Sequence, residues 1–225
     1  MSPDPAVGWT HQLFAVAAAG AWLAGLSVLA LWVRDRWPHH REWSRKLVHI
    51  GAGPVVLIAW WLGIDRTIAL PAAATVTVIA ALNHRFRLLP AVEDVDRHSY
   101  GTVAYGASFT LLLWLWWPAR PDAVAAGVLV MAIGDGLAGL LGPMVASPSW
   151  SVLGERRSLA GTGAMALSGL VALGVTALLP GSQPPHPAAL LLIAAAATAL
   201  EQFALFGIDN LTVPLAAAWL WTVLA

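Results

Sequence analysis

The strongest constraint on this chain is a succession of apolar runs, each about as long as the hydrocarbon core of a bilayer is thick: 11–33, 47–63, 66–83, 100–117, 122–142, 159–179, 187–205 and 210–225. No water is available inside lipid for backbone N–H and C=O groups, so runs of this kind are restricted to helices. The expected fold is all-α: a polytopic membrane helix bundle of about eight transmembrane helices, with seven the alternative count. Composition agrees, since 59% of the 225 residues are hydrophobic and 11% are charged. Formal net charge is zero and cysteine is absent, which excludes a basic nucleic-acid surface, a disulfide frame and a thiolate metal site. The first ten residues hold Asp4 and no Lys or Arg, so they lack the basic flank of a cleavable signal, and the first run is read as a retained span. Residues 1–225 are expected to form one integral membrane domain.

Basic residues set the expected orientation. Arg34, Arg36, Arg41, Arg45 and Lys46 fall after the first run, Arg85, Arg87 and Arg97 after the third, and Arg156 and Arg157 after the fifth. Only Arg66 and Arg120 occupy the alternate loops. The positive-inside rule then makes the loops at about 34–46, 84–99, 143–158 and 206–209 cytoplasmic and leaves both termini outside. Tryptophans near span ends, among them Trp32, Trp37, Trp60, Trp61, Trp116 and Trp117, are expected in the interfacial belts.

Four polar stretches fall on or near that cytoplasmic side. In "REWSRKLVHIGAG" (41–53), helical spacing puts Glu42, Lys46, His49 and Gly53 on one face with Arg45 at its edge. Lys46 is the only lysine of the chain, as though a compact ammonium were needed rather than a planar fork. The charges alone also read as the basic flank of a span. In "VMAIGDGLAGLLG" (130–142), Asp135 stands between two glycines within an apolar run, where an ionised carboxylate is costly unless something binds it. "GDGLAG" matches G-x-G-x-x-G by letter, but no strand precedes it, so the dinucleotide reading is rejected. Gly127, Gly134, Ala138 and Gly142 recur at a spacing that suits close helix packing.

In "GERRSLAGTGAM" (154–165), Arg156 and Arg157 precede Ser158, Gly161, Thr162 and Gly163 at the start of a span. Fixed positive charge, hydroxyls and a helix N-terminus together suit phosphate, although a capped helix start also explains Ser158. In "EQFALFGIDNLTVPLAAA" (201–218), Glu201 closes one run while Asp209 and Asn210 open the next, with Pro214 placed in the first turn. Helix capping explains Asp209 or Asn210 and leaves Glu201 over. Glu201, Asp209 and Asp135 would form an oxygen-rich set suited to Mg²⁺ carried with nucleotide phosphates. Basic groups for phosphate, carboxylates for a hard cation and apolar walls point to phosphoryl transfer to a lipid alcohol, chemistry that needs mainly positioning and charge neutralisation.

"RKLVHIGAG" (45–53), "GDGLAGLLG" (134–142), "RRSLAGTGAM" (156–165) and "GIDNLTVPLAAA" (207–218) together resemble the phytol kinase and dolichol kinase family of CTP-dependent polyprenol kinases, which also includes CTP-dependent diacylglycerol kinases. The resemblance implies a multi-pass enzyme that transfers the γ-phosphate of CTP, with a divalent cation, to a long-chain alcohol. It assigns Arg45, Lys46, Arg157, Ser158 and Thr162 to phosphate contact, joined by Arg156 and Gly161 of the same stretch, and Asp135 to the metal or the attacking hydroxyl. Asp209 and Asn210 would assist the metal or nucleotide, with Glu201 beside them, and His49 would orient the acceptor or a carboxylate. The family pattern carries Lys-Ser and Gly-Ser where this chain has Arg157-Ser158 and Gly161-Thr162, swaps that keep charge and hydroxyl.

The acidic cluster Glu93, Asp94 and Asp96, with Arg97 and His98, reads as a solvated loop face. Three other kinds of protein compete with a lipid kinase. A phosphatidate cytidylyltransferase would also bind CTP and a lipid, and an ion-coupled transporter or a scaffold would also span the membrane. Abundant Ala, Gly, Arg and Trp beside a single lysine suggests a GC-rich bacterial genome and hence a plasma membrane.

Overall fold

The computed structural model describes residues 5–86 and 100–225. Every apolar run within them is helical: α1 (Pro5–Arg36), α2 (Arg41–Ala52), α3 (Val55–Trp61), α4 (Arg66–Phe86), α5 (Gly101–Trp116), α6 (Pro121–Met144), α7 (Leu159–Leu178), α8 (Pro187–Gln202) and α9 (Asp209–Val223). The second run is two helices, because Gly53 and Pro54 interrupt it and Pro54 has no N–H to continue the ladder. Four helices, Gly8–Arg36 of α1 together with α4, α6 and α7, are each long and apolar enough to cross a membrane alone. The acidic loop cluster at 93–98, together with Arg87 and Arg97, lies outside the described residues.

Burial is arranged as lipid requires. α6 occupies the middle, with Asp122, Ala123, Val124, Ala125, Ala126 and Gly127 all buried in its first turns, and packs against α2, α3, α5, α7 and α9. Peripheral helices present apolar side chains outward: Val76, Val78 and Ile79 from α4, Leu167, Val171 and Val175 from α7. A water-facing surface would carry charge there, so this is an all-α membrane bundle. The small-residue spacing on α6 serves close packing as expected, for Gly127 lies against the Pro214 carbonyl and Ala218 of α9. Trp32, Trp37 and Trp61 are exposed as belt residues should be. Trp117 is not: it is buried, and its indole N–H donates to the Ile64 carbonyl at 2.9 Å, which makes it a packing residue.

Two local expectations need correction. Pro214 sits in the second turn of α9, not the first, because the helix begins at Asp209; the carbonyl four residues back, that of Asn210, therefore has no N–H to meet it. The 143–158 connection is not a plain loop either. It contains an antiparallel hairpin of β1 (Ser149–Val152) and β2 (Glu155–Ser158), in register Ser149↔Ser158 through Val152↔Glu155. Its turn is Leu153-Gly154 with φ of 52° and 87°, the double left-handed pair that matches hairpin twist. A second such pair, Phe206 (φ 53°) and Gly207 (φ 81°), lies between α8 and α9. Each non-glycine residue in that region costs roughly 1–2 kcal/mol.

At the end of the bundle away from Asp135, the buried Asp122 carboxylate is fully engaged. Arg120 donates to both of its oxygens at 3.0 Å, the Gln183 backbone N–H donates at 3.0 Å and the Trp221 indole at 2.8 Å. One carboxylate thus ties α6, α9 and the α7–α8 connection together. Replacing it by alanine strands a guanidinium beside the core, so Asp122→Ala is expected to lose about 3 kcal/mol, read as a lowered Tm of the purified protein in detergent.

Candidate active site

Asp135 ends a six-residue π-helical segment of α6, Val130–Asp135. Such a segment adds a residue to the turn and rotates the rest of the helix, a device concentrated at functional sites. α2 lies flush against α6 just beyond it: a Cβ at Gly136 would collide with Ile50, and one at Gly139 with the Lys46 side chain. The close approach delivers Lys46 Nζ to Asp135 Oδ2 at 2.8 Å and to the Asp135 carbonyl at 3.1 Å. His49, one turn on, places Nε2 3.2 Å from the same Oδ2 and 3.2 Å from the Met131 carbonyl. A carbonyl only accepts, so Nε2 carries the imidazole hydrogen. Tyr105 of α5 stacks on the His49 ring at 4.4 Å between centroids, and its hydroxyl donates to the His49 carbonyl at 3.0 Å. One carboxylate oxygen is therefore held from two directions, while Oδ1 has no hydrogen bond among the described residues.

Facing this arrangement are the ends of β2, α8 and α9. Arg157 pairs with Glu201 and also donates to the Ala204 carbonyl at 3.0 Å. Gln202 donates to Thr162 Oγ1 at 3.1 Å and to Glu201 Oε2 at 2.7 Å. Asp209 lies in the first turn of α9, where its Oδ1 accepts the Asn210 backbone N–H at 3.0 Å and gains from the helix dipole. Carboxylate oxygens of Asp135, Glu201 and Asp209, one from each, lie within 4.8 Å of one another. Three carboxylates converge beside the buried Lys46 and the part-buried Arg157, a density of like charge that a divalent cation would neutralise. Asn210 Oδ1, Gln202 Oε1 and Arg157 Nε are buried without a hydrogen-bond partner among the described residues. Oxygen donors around an under-satisfied polar centre fit a hard cation and its water or phosphate ligands.

The cluster opens into a cavity of about 1400 Å³. Arg45, Arg156, Ser158, Gly161, Thr162 and Asn210 line it along with the three carboxylates, Lys46 and Arg157. The sequence therefore marks most of one wall, but some groups expected to be open are engaged. Ser158 Oγ caps α7 by accepting the Gly161 N–H at 3.2 Å and lies 3.3 Å from the Gly142 carbonyl. Arg45 is bound to Glu42 at 2.8 Å and Arg156 to Ser149 Oγ at 3.2 Å, both pairs near the rim. His49 lies behind Asp135, off the cavity wall, and contacts the carboxylate rather than the open cavity. Tyr105 and Gln202 were not singled out from the sequence. Gln202 stands beside Glu201, and Tyr105 is a polar-tipped residue within an apolar run; those are the signals that mark them.

No family model and no solved structure matches the chain. Among curated proteins it is similar to a phytol kinase from Synechocystis sp., 42% identical over 182 residues, which cover 79% of this chain and 77% of that protein. The chain belongs to the phytol kinase family. It is a membrane lipid-alcohol kinase, a phosphotransferase with an alcohol group as acceptor.

For a phytol kinase family member the layout of the cavity is chemically coherent. Asp135, Glu201, Asp209, Lys46 and Arg157 share the cavity with apolar lining from Leu140, Met144, Val145 and Phe206. The Arg157–Glu201 pair is the joint between hairpin and α8. Glu201→Gln keeps the shape and removes the charge partner, so it is expected to lower phosphate transfer by at least about tenfold, the effect of losing one fixed charge in a water-poor site, while the Tm falls by only a few degrees.

Proposed function

We infer that the chain transfers the γ-phosphate of CTP to an isoprenoid alcohol such as phytol or geranylgeraniol, with Mg²⁺, from the cytoplasmic face of a bacterial plasma membrane. The observation that carries this reading is the convergence of Asp135, Glu201 and Asp209 within 4.8 Å beneath a cavity walled by arginines. Support for the orientation comes from the basic residues: Arg34, Arg45, Lys46, Arg85, Arg156 and Arg157 belong to the cavity end, Arg66 and Arg120 to the other.

Asp135, Glu201 and Asp209 would hold Mg²⁺, which would supply positive charge to offset that on the transferring phosphates. Arg45 and Arg156 exchange their rim partners for phosphate oxygens, to which a guanidinium binds in a fork. Lys46 and His49 keep Asp135 Oδ2 fixed, so that Oδ1 would be left for the cation or the acceptor hydroxyl. The alcohol oxygen bonds to the γ-phosphorus as the bond to the β,γ-bridging oxygen breaks; CDP leaves and the hydroxyl proton passes to the carboxylate cluster. Because the transition state is loose, positioning and charge carry the rate more than base strength does.

Donor and product are tested together by offering purified protein CTP, ATP or UTP with Mg²⁺ and phytol. Lipid monophosphate carrying the γ-label, formed fastest with CTP, is the expected product. With phosphatidate offered in place of phytol, lipid carrying an α-label, with pyrophosphate released, would identify a cytidylyltransferase instead.

A further inference from the structure

Two turns at the cavity end present large apolar side chains from backbone conformations that disfavour them. Leu153 at the hairpin tip and Phe206 between α8 and α9 both have left-handed φ, 52° and 53°, and both are 64% exposed. In a turn facing water, Asn or Asp tolerates that backbone and is solvated there. Leucine and phenylalanine, each largely exposed at these two places, suit an apolar medium beside them. The turns are tied together, since Arg157 from the hairpin holds both Glu201 and the carbonyl of Ala204, two residues before Phe206. Outward, exposed Leu159, Phe203 and Ile208 continue the apolar surface. Inward, Phe206, Met144 and Val145 continue it as cavity lining. A nucleotide gains nothing from such a path, whereas an isoprenoid chain is stabilised along all of it.

We propose that the Leu153 and Phe206 turns form a lip at the membrane surface, over which the apolar chain of the acceptor alcohol passes from the bilayer into the Asp135 cavity. This rests on the reading of that cavity as the site of phosphate transfer. The lip selects for chain rather than for hydroxyl, so its effect grows with acceptor length.

Leu153→Asn and Phe206→Asn install a residue suited to the left-handed backbone, so both variants, and the two combined, are expected to melt no lower than the parent. With CTP as donor, the combined variant is expected to raise the KM for phytol about tenfold, the order for losing contact with one large apolar side chain. For Leu153→Asn alone, which lies outside the cavity lining, the KM for CTP and the rate with prenol, an alcohol too short to reach the lip, stay unchanged while the KM for phytol rises. An unchanged KM for phytol, or an equal loss with prenol, overturns the proposal. A phytol analogue with a photoreactive diazirine in its chain supplies a reading independent of turnover: crosslinks to peptides 149–158 and 203–208 are expected, and crosslinks confined to other helices overturn the lip. A parent protein that crosslinks at the lip yet phosphorylates neither alcohol would refute the reading of the cavity while upholding the lip.

Discussion

Asp135→Asn is expected to reduce phosphate transfer by at least about a thousandfold while the protein still folds. Asparagine has nearly the same shape, and its amide still reaches Lys46 Nζ, which lies 2.8 Å from Oδ2, through its oxygen. What it removes is the charge on which two other carboxylates converge within 4.8 Å. Losing one group that stabilises transition-state charge costs on the order of 10² to 10³ in kcat, and Asp135 serves both the cation and the acceptor in this account. The variant should migrate as a monodisperse species in detergent with a Tm below the parent's, because the buried Lys46 loses its charge partner, and its residual rate should be read with phytol and CTP at saturation at a temperature well below that Tm. A variant that retains a tenth of the parental kcat would remove Asp135 from the mechanism.

Lys46→Met is expected to lose both activity and stability, for a reason the second site of a mutant cycle exposes. Lys46 is 6% exposed and its ammonium is held against Asp135 in the slot left by Gly139. Removing it leaves a carboxylate buried without its cation, a loss of about 3–5 kcal/mol, which lowers the Tm steeply. Adding Asp135→Asn to Lys46→Met takes away the stranded charge, so the double variant should regain much of the Tm while remaining inactive. Two separate losses that simply add would show that the pair is not coupled. Lys46→Arg should not rescue activity, because a Cβ at Gly139 already collides with the lysine chain and a guanidinium is bulkier still. This is the physical content of the single lysine in a chain that otherwise uses arginine.

Much of this organisation is legible in one dimension, because lipid imposes severe rules on sequence. Hydrocarbon thickness sets run length, so the apolar runs coincide with helices within a few residues at most ends. The cost of intramembrane charge marks Asp135 and leaves Glu201 without a local excuse, and the two do belong to one cluster with Asp209. Less legible are features decided by partners distant in sequence. The Arg157–Glu201 pair joins residues 44 apart, and no periodicity announces it. Helical spacing puts His49 on the face of Lys46, yet which of them meets the cavity depends on how α2 lies across α6. The hairpin at 149–158 has two four-residue strands, "SWSV" and "ERRS", too short and too polar to show a strand pattern against the helical background. Its only sequence signal is Leu153-Gly154, half of a favoured turn pair. The π-helical segment is invisible to any reading of helical spacing, since it breaks the period on which such a reading rests.

In the mechanism proposed above, the Asp135 cavity moves a phosphate from CTP to an alcohol delivered by the membrane. The most direct test tracks γ-labelled CTP over time in purified protein with Mg²⁺ and phytol in mixed micelles, alongside Asp135→Asn. Label passing into the lipid phase as a monophosphate in the parent and remaining in the nucleotide with the variant is the predicted result. Label that stays in CTP in both, although the parent binds the nucleotide, would contradict the account.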